Sequence, residues 1–193
     1  MNKRTLNRIL KRLDHFIGLN TDSRNDPSPI DPLIHSLTRE SIEKLATENP
    51  TWTEFDLYKV LFTPIILSNP HRYNELAIFY DWMARQASAE NNAEAFELYQ
   101  KAIHQNALWR LHDSDGTVKP YVSCFHVVGH HSCCGSCAHL TDRVYPINEF
   151  LDNLPIPVME CSREDRLCQA LPLAIGEARY RFLLERGRLN NEL

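Results

Sequence analysis

Residues 126–147 read HVVGHHSCCGSCAHLTDRVYPI, with three histidines and three cysteines in the first twelve positions. The stretch sits where the chain changes character. Upstream, apolar residues recur at helical spacing as far as about Leu111, and Asp113-Ser-Asp-Gly116 then reads as a turn. Beyond the turn, residues 118–128 and 143–147 form short runs with β-like composition. This change predicts a mainly α fold of helical hairpins that carries a small β subdomain near its C-terminus.

Within the stretch, Cys134-Gly-Ser-Cys137 is the sharpest signal. Two cysteines separated by two residues can turn both sulfurs toward one point, and the small residues between them permit a tight turn. A structural zinc ion takes four such ligands in a tetrahedron, with sulfur at about 2.3 Å. A second pair, Cys161 and Cys168, follows with six residues between its members, wider than the two to four of a zinc knuckle. The spacing therefore predicts zinc as the cofactor, with Cys134, Cys137, Cys161 and Cys168 as its ligands. The β part has few large apolar residues of its own, so the ion is expected to order it. Cys124, His126, His130, His131 and Cys133 are left over. They read as a half-buried strand face and a polar loop. Alternatively His126 and His130 bind a second metal or replace Cys168, or His130 or His131 acts as a second-shell partner or general base.

Working outward toward the N-terminus, residues 95–111 and a preceding helix form a hairpin. Tyr73, Leu76, Tyr80, Met83 and Ala87 share a stripe on the first helix, flanked by Ala77. Phe96, Tyr99, Ile103 and Ala107 mark the second, and ASAENNAE breaks the pattern between them. Earlier, Thr51-Trp-Thr-Glu54 has capping-box spacing and opens a helix expected to end before Pro64. Asp31-Pro32 suits the start of another, and TDSRNDPSPIDP, residues 21–32, is a linker or exposed loop. At the N-terminus, Leu6, Ile9, Leu10, Leu13, Phe16 and Ile17 follow helical spacing, with Lys3, Arg4, Arg8, Lys11 and Arg12 around them. The domain reading is a basic amphipathic helix over 1–20, a helical body over 31–112, a zinc-binding β subdomain over 117–170 and a C-terminal helix over 171–193. In that last helix Ala178, Phe182 and Leu183 face inward.

The chain has 193 residues, 43% hydrophobic and 24% charged, with a formal net charge of -4. That mild acidity argues against a nucleic-acid binder working by bulk charge, but leaves nucleic-acid contact through residues 1–17 open. No apolar run reaches the length of a membrane span, so no span is expected. The N-terminus lacks an unbroken apolar stretch and a cleavage site, and a cytoplasmic location follows as the expectation. All six cysteines lie between Cys124 and Cys168, and in a reducing compartment such crowding reads as a metal site rather than as disulfides.

From about Tyr73 to Cys168 the sequence resembles a group of bacterial proteins with a helical body and a C-terminal CxxC…C…C segment. More remotely, it is similar to the cysteine segment of some phage head-morphogenesis proteins. The resemblance rests on YNELAIFYDWMARQ and AFELYQKAIHQNALWRL before a short β-segment. Next comes a run of CxxC, two residues and Leu-x-Gly-Lys-Val-Phe, here Cys134, Cys137, Leu140, Asp142, Arg143, Val144 and Tyr145. An acidic short helix from Asn148 to Leu154, then LPIPV and the last cysteine pair complete it. The pattern ends in Cys-Arg-Cys where this chain has Cys168-Gln169-Ala170. The resemblance implies a zinc-ribbon-like module on a helical body and no particular activity.

No GxSxG elbow, phosphate loop or HExxH occurs. The functional expectation is a non-enzymatic, zinc-stabilised interaction or assembly protein with a protein partner. The alternatives are a metal-dependent nuclease or hydrolase using His126, His130 and His131, and nucleic-acid binding through the basic N-terminal helix.

Overall fold

The computed structural model describes residues 3–11, 39–68, 70–113, 116–128, 135–156 and 171–186. Packing divides the chain into two compact units, Met1–Pro70 and His71–Leu193. The division falls inside the span read from sequence as one helical body.

In the first unit, residues 3–11 are helical (α1). Ile9 and Leu10 are buried while Lys3, Arg4, Arg8 and Lys11 face solvent, so the amphipathic stripe packs within the unit. Helix α2, Arg39–Glu48, buries Ile42 and Ala46, four residues apart on one face. Helix α3, Glu54–Ser68, is capped two residues later than its sequence suggests. The Thr53 hydroxyl accepts from the Asp56 amide at 3.2 Å and the Asp56 carboxylate accepts from the Thr53 amide at 2.9 Å, a reciprocal box. Glu54, freed from capping, is buried and pairs with Arg8.

Nor does α3 stop at Pro64. It runs on to Ser68, and Pro64 sits on the exposed side between buried Leu61, Phe62 and Ile65. Proline removes one backbone hydrogen bond, to the carbonyl of Val60, and Val60 is 42% exposed. On the water-facing side of a helix that lost bond costs least.

The second unit opens with the expected hairpin, α4 (Tyr73–Ala89) and α5 (Ala95–Leu111). The buried face of α4 is Leu76, Ala77, Phe79, Met83, Ala84 and Ala87, so it is rotated toward Phe79 and away from the half-buried Tyr73 and Tyr80. Asn91, with φ 55°, ends α4: its amide donates to Ser88 at 3.1 Å and that of Asn92 to Ala87 at 2.8 Å. This is the left-handed Schellman stop, which asparagine tolerates better than most residues.

After α5 the chain forms β1 (Cys124–Val128), a helical turn α6 (Gly135–Ala138), β2 (Val144–Pro146), α7 (Ile147–Asn153), β3 (Leu171–Ile175) and α8 (Glu177–Glu185). The strands make one antiparallel sheet in the order β2-β1-β3. β3 was not legible as a strand: residues 171–175 belong to the sheet, and among the described residues of the span read as C-terminal helix, helix occupies Glu177–Glu185. On α8, Leu183 is buried as expected. Ala178 is exposed, as is Phe182, whose ring lies 5.2 Å from the guanidinium carbons of both Arg179 and Arg186.

Alternation along β1 sends Phe125 and Val127 to one face and Cys124 and His126 to the other. The first face joins Ile103, Ala107 and Leu111 of α5 with Leu140, Phe150 and Ile156; the Phe125 and Phe150 rings are 4.8 Å apart. Cys124 packs with Ile175, Leu183 and Tyr180 on the α8 side. The sheet thus has an apolar core of its own on one face, more than the sequence suggested. Both edge strands carry a proline, Pro146 opposite Cys124 and Pro172 opposite Val127. Because Val127 bonds toward the β2 side, to Asp142 and Arg143, through both its amide and its carbonyl, strand alternation turns the nitrogen positions of Pro172 and Pro146 outward, away from β1. The missing N–H groups therefore fall on the open edges, where they discourage pairing with another chain.

Candidate functional site

Of the four predicted zinc ligands, Cys134, Cys161 and Cys168 lie outside the described residues, as do His130, His131 and Cys133. Cys137 lies in the α6 turn, three residues before buried Leu140. Among the described residues no group of three or more His, Cys, Asp or Glu side chains forms a metal site.

The sheet does fix the roots of both cysteine-bearing segments. Val128 ends β1 and pairs with Leu171, the first residue of β3, so their Cα atoms are about 5 Å apart. Leu140 follows the first cysteine pair, Ile156 precedes the second, and both belong to the same apolar cluster. Cys134 is six residues beyond Val128 and Cys168 three before Leu171.

At the same end of the sheet stands His126. Its residue is 6% exposed, and its Nε2 lies 3.3 Å from Oδ1 of Asp142. A carboxylate only accepts, so Nε2 carries the proton and a neutral ring holds its lone pair on Nδ1. Asp142 reaches this position through an unusual backbone. It has φ 61°, its amide donates to the Val127 carbonyl at 2.8 Å, and the Val127 amide donates to the Arg143 carbonyl at 2.9 Å. Two residues thus oppose one, a β-bulge of the kind whose first residue is left-handed. Sequence reading did not single out Asp142, because its contact with His126 depends on a bulge that leaves no periodic signal.

Cys124, two residues from His126 on the same face, is a free, buried cysteine. Burial pushes its thiol up, opposed by the Ser123 hydroxyl and reinforced by the negative charge of Glu177. Packed against Ile175 and Leu183, it has the setting of a structural cysteine rather than a reactive one.

A second concavity, an open cleft of about 350 Å³, lies beside the start of α4 and the end of α5. His71, Tyr73 and His112 form a run of rings, with Tyr73 and His112 centroids 5.0 Å apart, and 45%-exposed Trp109 stands alongside. Its cations are engaged with the protein: Arg72 pairs with Glu75 at 2.6 Å, and Lys119 donates to the Arg110 carbonyl at 3.0 Å. His112 Nδ1 donates to the Leu108 carbonyl at 2.8 Å, and His71, Asn74 and Asp113 add further polar groups to the aromatic faces of the lining.

No family model, no curated protein and no solved structure matches the chain. Among the described residues, no helix is long and apolar enough to cross a membrane.

Proposed function

We propose that the protein is a non-enzymatic interaction or assembly module whose two cysteine-bearing segments are tied together by one zinc ion. The candidate thiolates are Cys134 and Cys137 from the first segment and Cys161 and Cys168 from the second. The observation that carries the reading is the pairing of Val128 with Leu171, which roots both segments at one end of the sheet. Four thiolates around zinc make a closed, electron-rich set, suited to holding structure and a poor Lewis acid for hydrolysis. Since the sheet already packs on α5, the ion's role is to order the two segments and present them as one surface. That surface, together with exposed apolar side chains such as Val118 and Tyr121, is what the second unit would offer a protein partner.

Metal analysis by mass spectrometry on reduced protein tests this. One zinc per chain is expected, falling to a small fraction in Cys134→Ser and in Cys137→Ser. Chelation should raise protease sensitivity within residues 129–139 and 157–170 and leave α4 and α5 intact. Reduced protein that carries no zinc and takes up none on addition would refute the reading.

A further inference from the structure

The cleft between the start of α4 and the end of α5 is built on a fixed frame. One wall is a tight turn. The Asp113 amide donates to the Thr117 carbonyl at 2.8 Å, the Gly116 amide donates back to the Asp113 carbonyl at 2.9 Å, and His112 pairs with Val118 as an isolated bridge. Lys119 fastens this turn to the end of α5, with its amide on the Leu111 carbonyl at 2.9 Å and its ammonium on that of Arg110. The first turn of α4 makes the other wall. Because the buried face of that helix turns toward Phe79, Tyr73 is left out of the core and lies at the cleft instead.

Into this frame the chain sets rings that it does not bury. Tyr73 is held between two imidazoles: its hydroxyl meets His71 Nδ1 at 3.4 Å, and its ring centroid lies 5.0 Å from that of His112. Trp109, three residues before His112, lines the same cleft and is 45% exposed. A lone exposed tryptophan says little. Beside Tyr73 and His112 in one concavity, it completes a surface on which a flat ring stacks. The volume of about 350 Å³ is near the lower end of the range for small-molecule sites, which gives room for one ring system rather than an extended cofactor.

Charge and hydrogen bonding narrow the ligand. The lining sets Arg72 and Lys119 against Glu75 and Asp113, so its formal charges cancel and select no ion. Two polar groups are left unspent among the described residues. With Nδ1 donating to the Leu108 carbonyl, His112 Nε2 is an acceptor, and the Asn74 amide offers both a donor and an acceptor. An uncharged, flat ligand with donors and acceptors along one edge has the chemistry of a nucleobase, which proteins hold by stacking on aromatic side chains and by hydrogen bonds to that edge. We propose that the cleft binds a single nucleobase, stacked on Trp109 and the Tyr73–His112 pair and read at its edge by His112 Nε2 and Asn74. The base is carried by a nucleoside or by a single strand. The site is independent of zinc.

Saturation-transfer NMR and calorimetry on the full-length chain with adenosine test the site. Binding with a Kd of about 0.1–1 mM is expected for so open a cleft. Trp109→Ala removes an exposed side chain, leaves the fold intact and should weaken binding about tenfold. Purine riboside, which lacks the exocyclic amine, should bind the native chain several-fold more weakly than adenosine. The two should bind His112→Phe equally, since that change keeps a ring and deletes the acceptor. A short oligo-deoxyadenosine strand that binds more tightly than adenosine, with affinity falling steeply in salt, assigns the base to a strand; equal affinity assigns it to a nucleoside. No binding of adenosine up to about 5 mM, an affinity unchanged in Trp109→Ala, an adenosine preference that persists in His112→Phe, or choline bound in preference to adenosine would each overturn the proposal.

Discussion

Replacing Arg8 by methionine should cost more stability than replacing its partner Glu54 by glutamine, and the size of the gap decides what α1 is for. The Glu54 side chain is 3% exposed and that of Arg8 56%. Removing one member of a fully buried ion pair costs about 3–5 kcal/mol, because the other is left charged and dry. Here the exposed half of the pair lowers that figure, and about 2 kcal/mol is the reasonable expectation for Arg8→Met. In Glu54→Gln the abandoned group is the half-exposed guanidinium, which water reaches, and the amide still accepts a hydrogen bond. That change should cost about 1 kcal/mol. Amide hydrogen exchange within α3 measures both, since opening of that helix reports the unit alone. A double-mutant cycle should return a coupling of about 1 kcal/mol between residues 8 and 54. Equal costs, or a coupling below about 0.3 kcal/mol, would show that Arg8 is a surface charge, and the reading of α1 as a packed element would fall. With Arg8 committed, the described cations that α1 can offer to phosphate shrink to Lys3, Arg4 and Lys11. The helix then serves its own unit first and nucleic acid at most second.

Other outcomes follow from single atoms. Gly176 joins β3 to α8, and a Cβ there would stand 2.4 Å from the backbone carbonyl oxygen of Tyr121; Gly176→Ala should destabilise the second unit by about 2–3 kcal/mol in urea titration. The Cys124 thiol is held protonated, so its folded value lies above the unfolded one near 9.0. Its stabilising contribution is whole below that value and declines as pH rises through it. Cys124→Ala should accordingly flatten part of the stability loss between about pH 8 and 10, measured as urea midpoints. Burial raises Tyr145 as well, so the remaining alkaline loss should shrink in Tyr145→Phe. Pro64→Ala restores a backbone donor within α3 and should raise the protection of its C-terminal turn by about 1 kcal/mol or more; unchanged exchange there would mean that the helix had already repaired the break.

The helical half was legible because its signals are local. The two helices of the hairpin, and the break between them, follow from apolar spacing alone. What spacing missed were positions decided by neighbours. Thr51 and Thr53 both offer a capping hydroxyl, and the choice of Thr53 became visible only once Glu54 was seen buried against Arg8. Pro64 reads as a stop, because a sequence does not say which side of a helix faces water. The cysteine spacing names candidate ligands, while the contact of His126 with Asp142, sixteen residues away, leaves no mark in the sequence pattern.

The strand that sequence reading overlooked is also the one on which the functional argument turns. LPLAI, residues 171–175, has a proline in its second position and too little alternation to announce a strand, and a central strand would not accept it. It is tolerated because β3 is an edge and Pro172 turns its nitrogen outward. Once β3 is in place, its first residue lies against the last residue of β1, and the segment carrying Cys161 and Cys168 must start from beside the segment carrying Cys134 and Cys137. Shifting the pairing by one residue would exchange the two faces of the strand, taking Ala174 away from the Phe125 cluster and Leu173 and Ile175 away from the Cys124 and Leu183 side. A register held that firmly by its side chains makes the adjacency of Val128 and Leu171 a property of the fold itself. Metal-free protein should therefore keep the β1–β3 amides protected from exchange while the segments themselves exchange freely. Loss of β1–β3 protection on chelation would mean instead that the ion, and not the apolar faces of the sheet, sets the register.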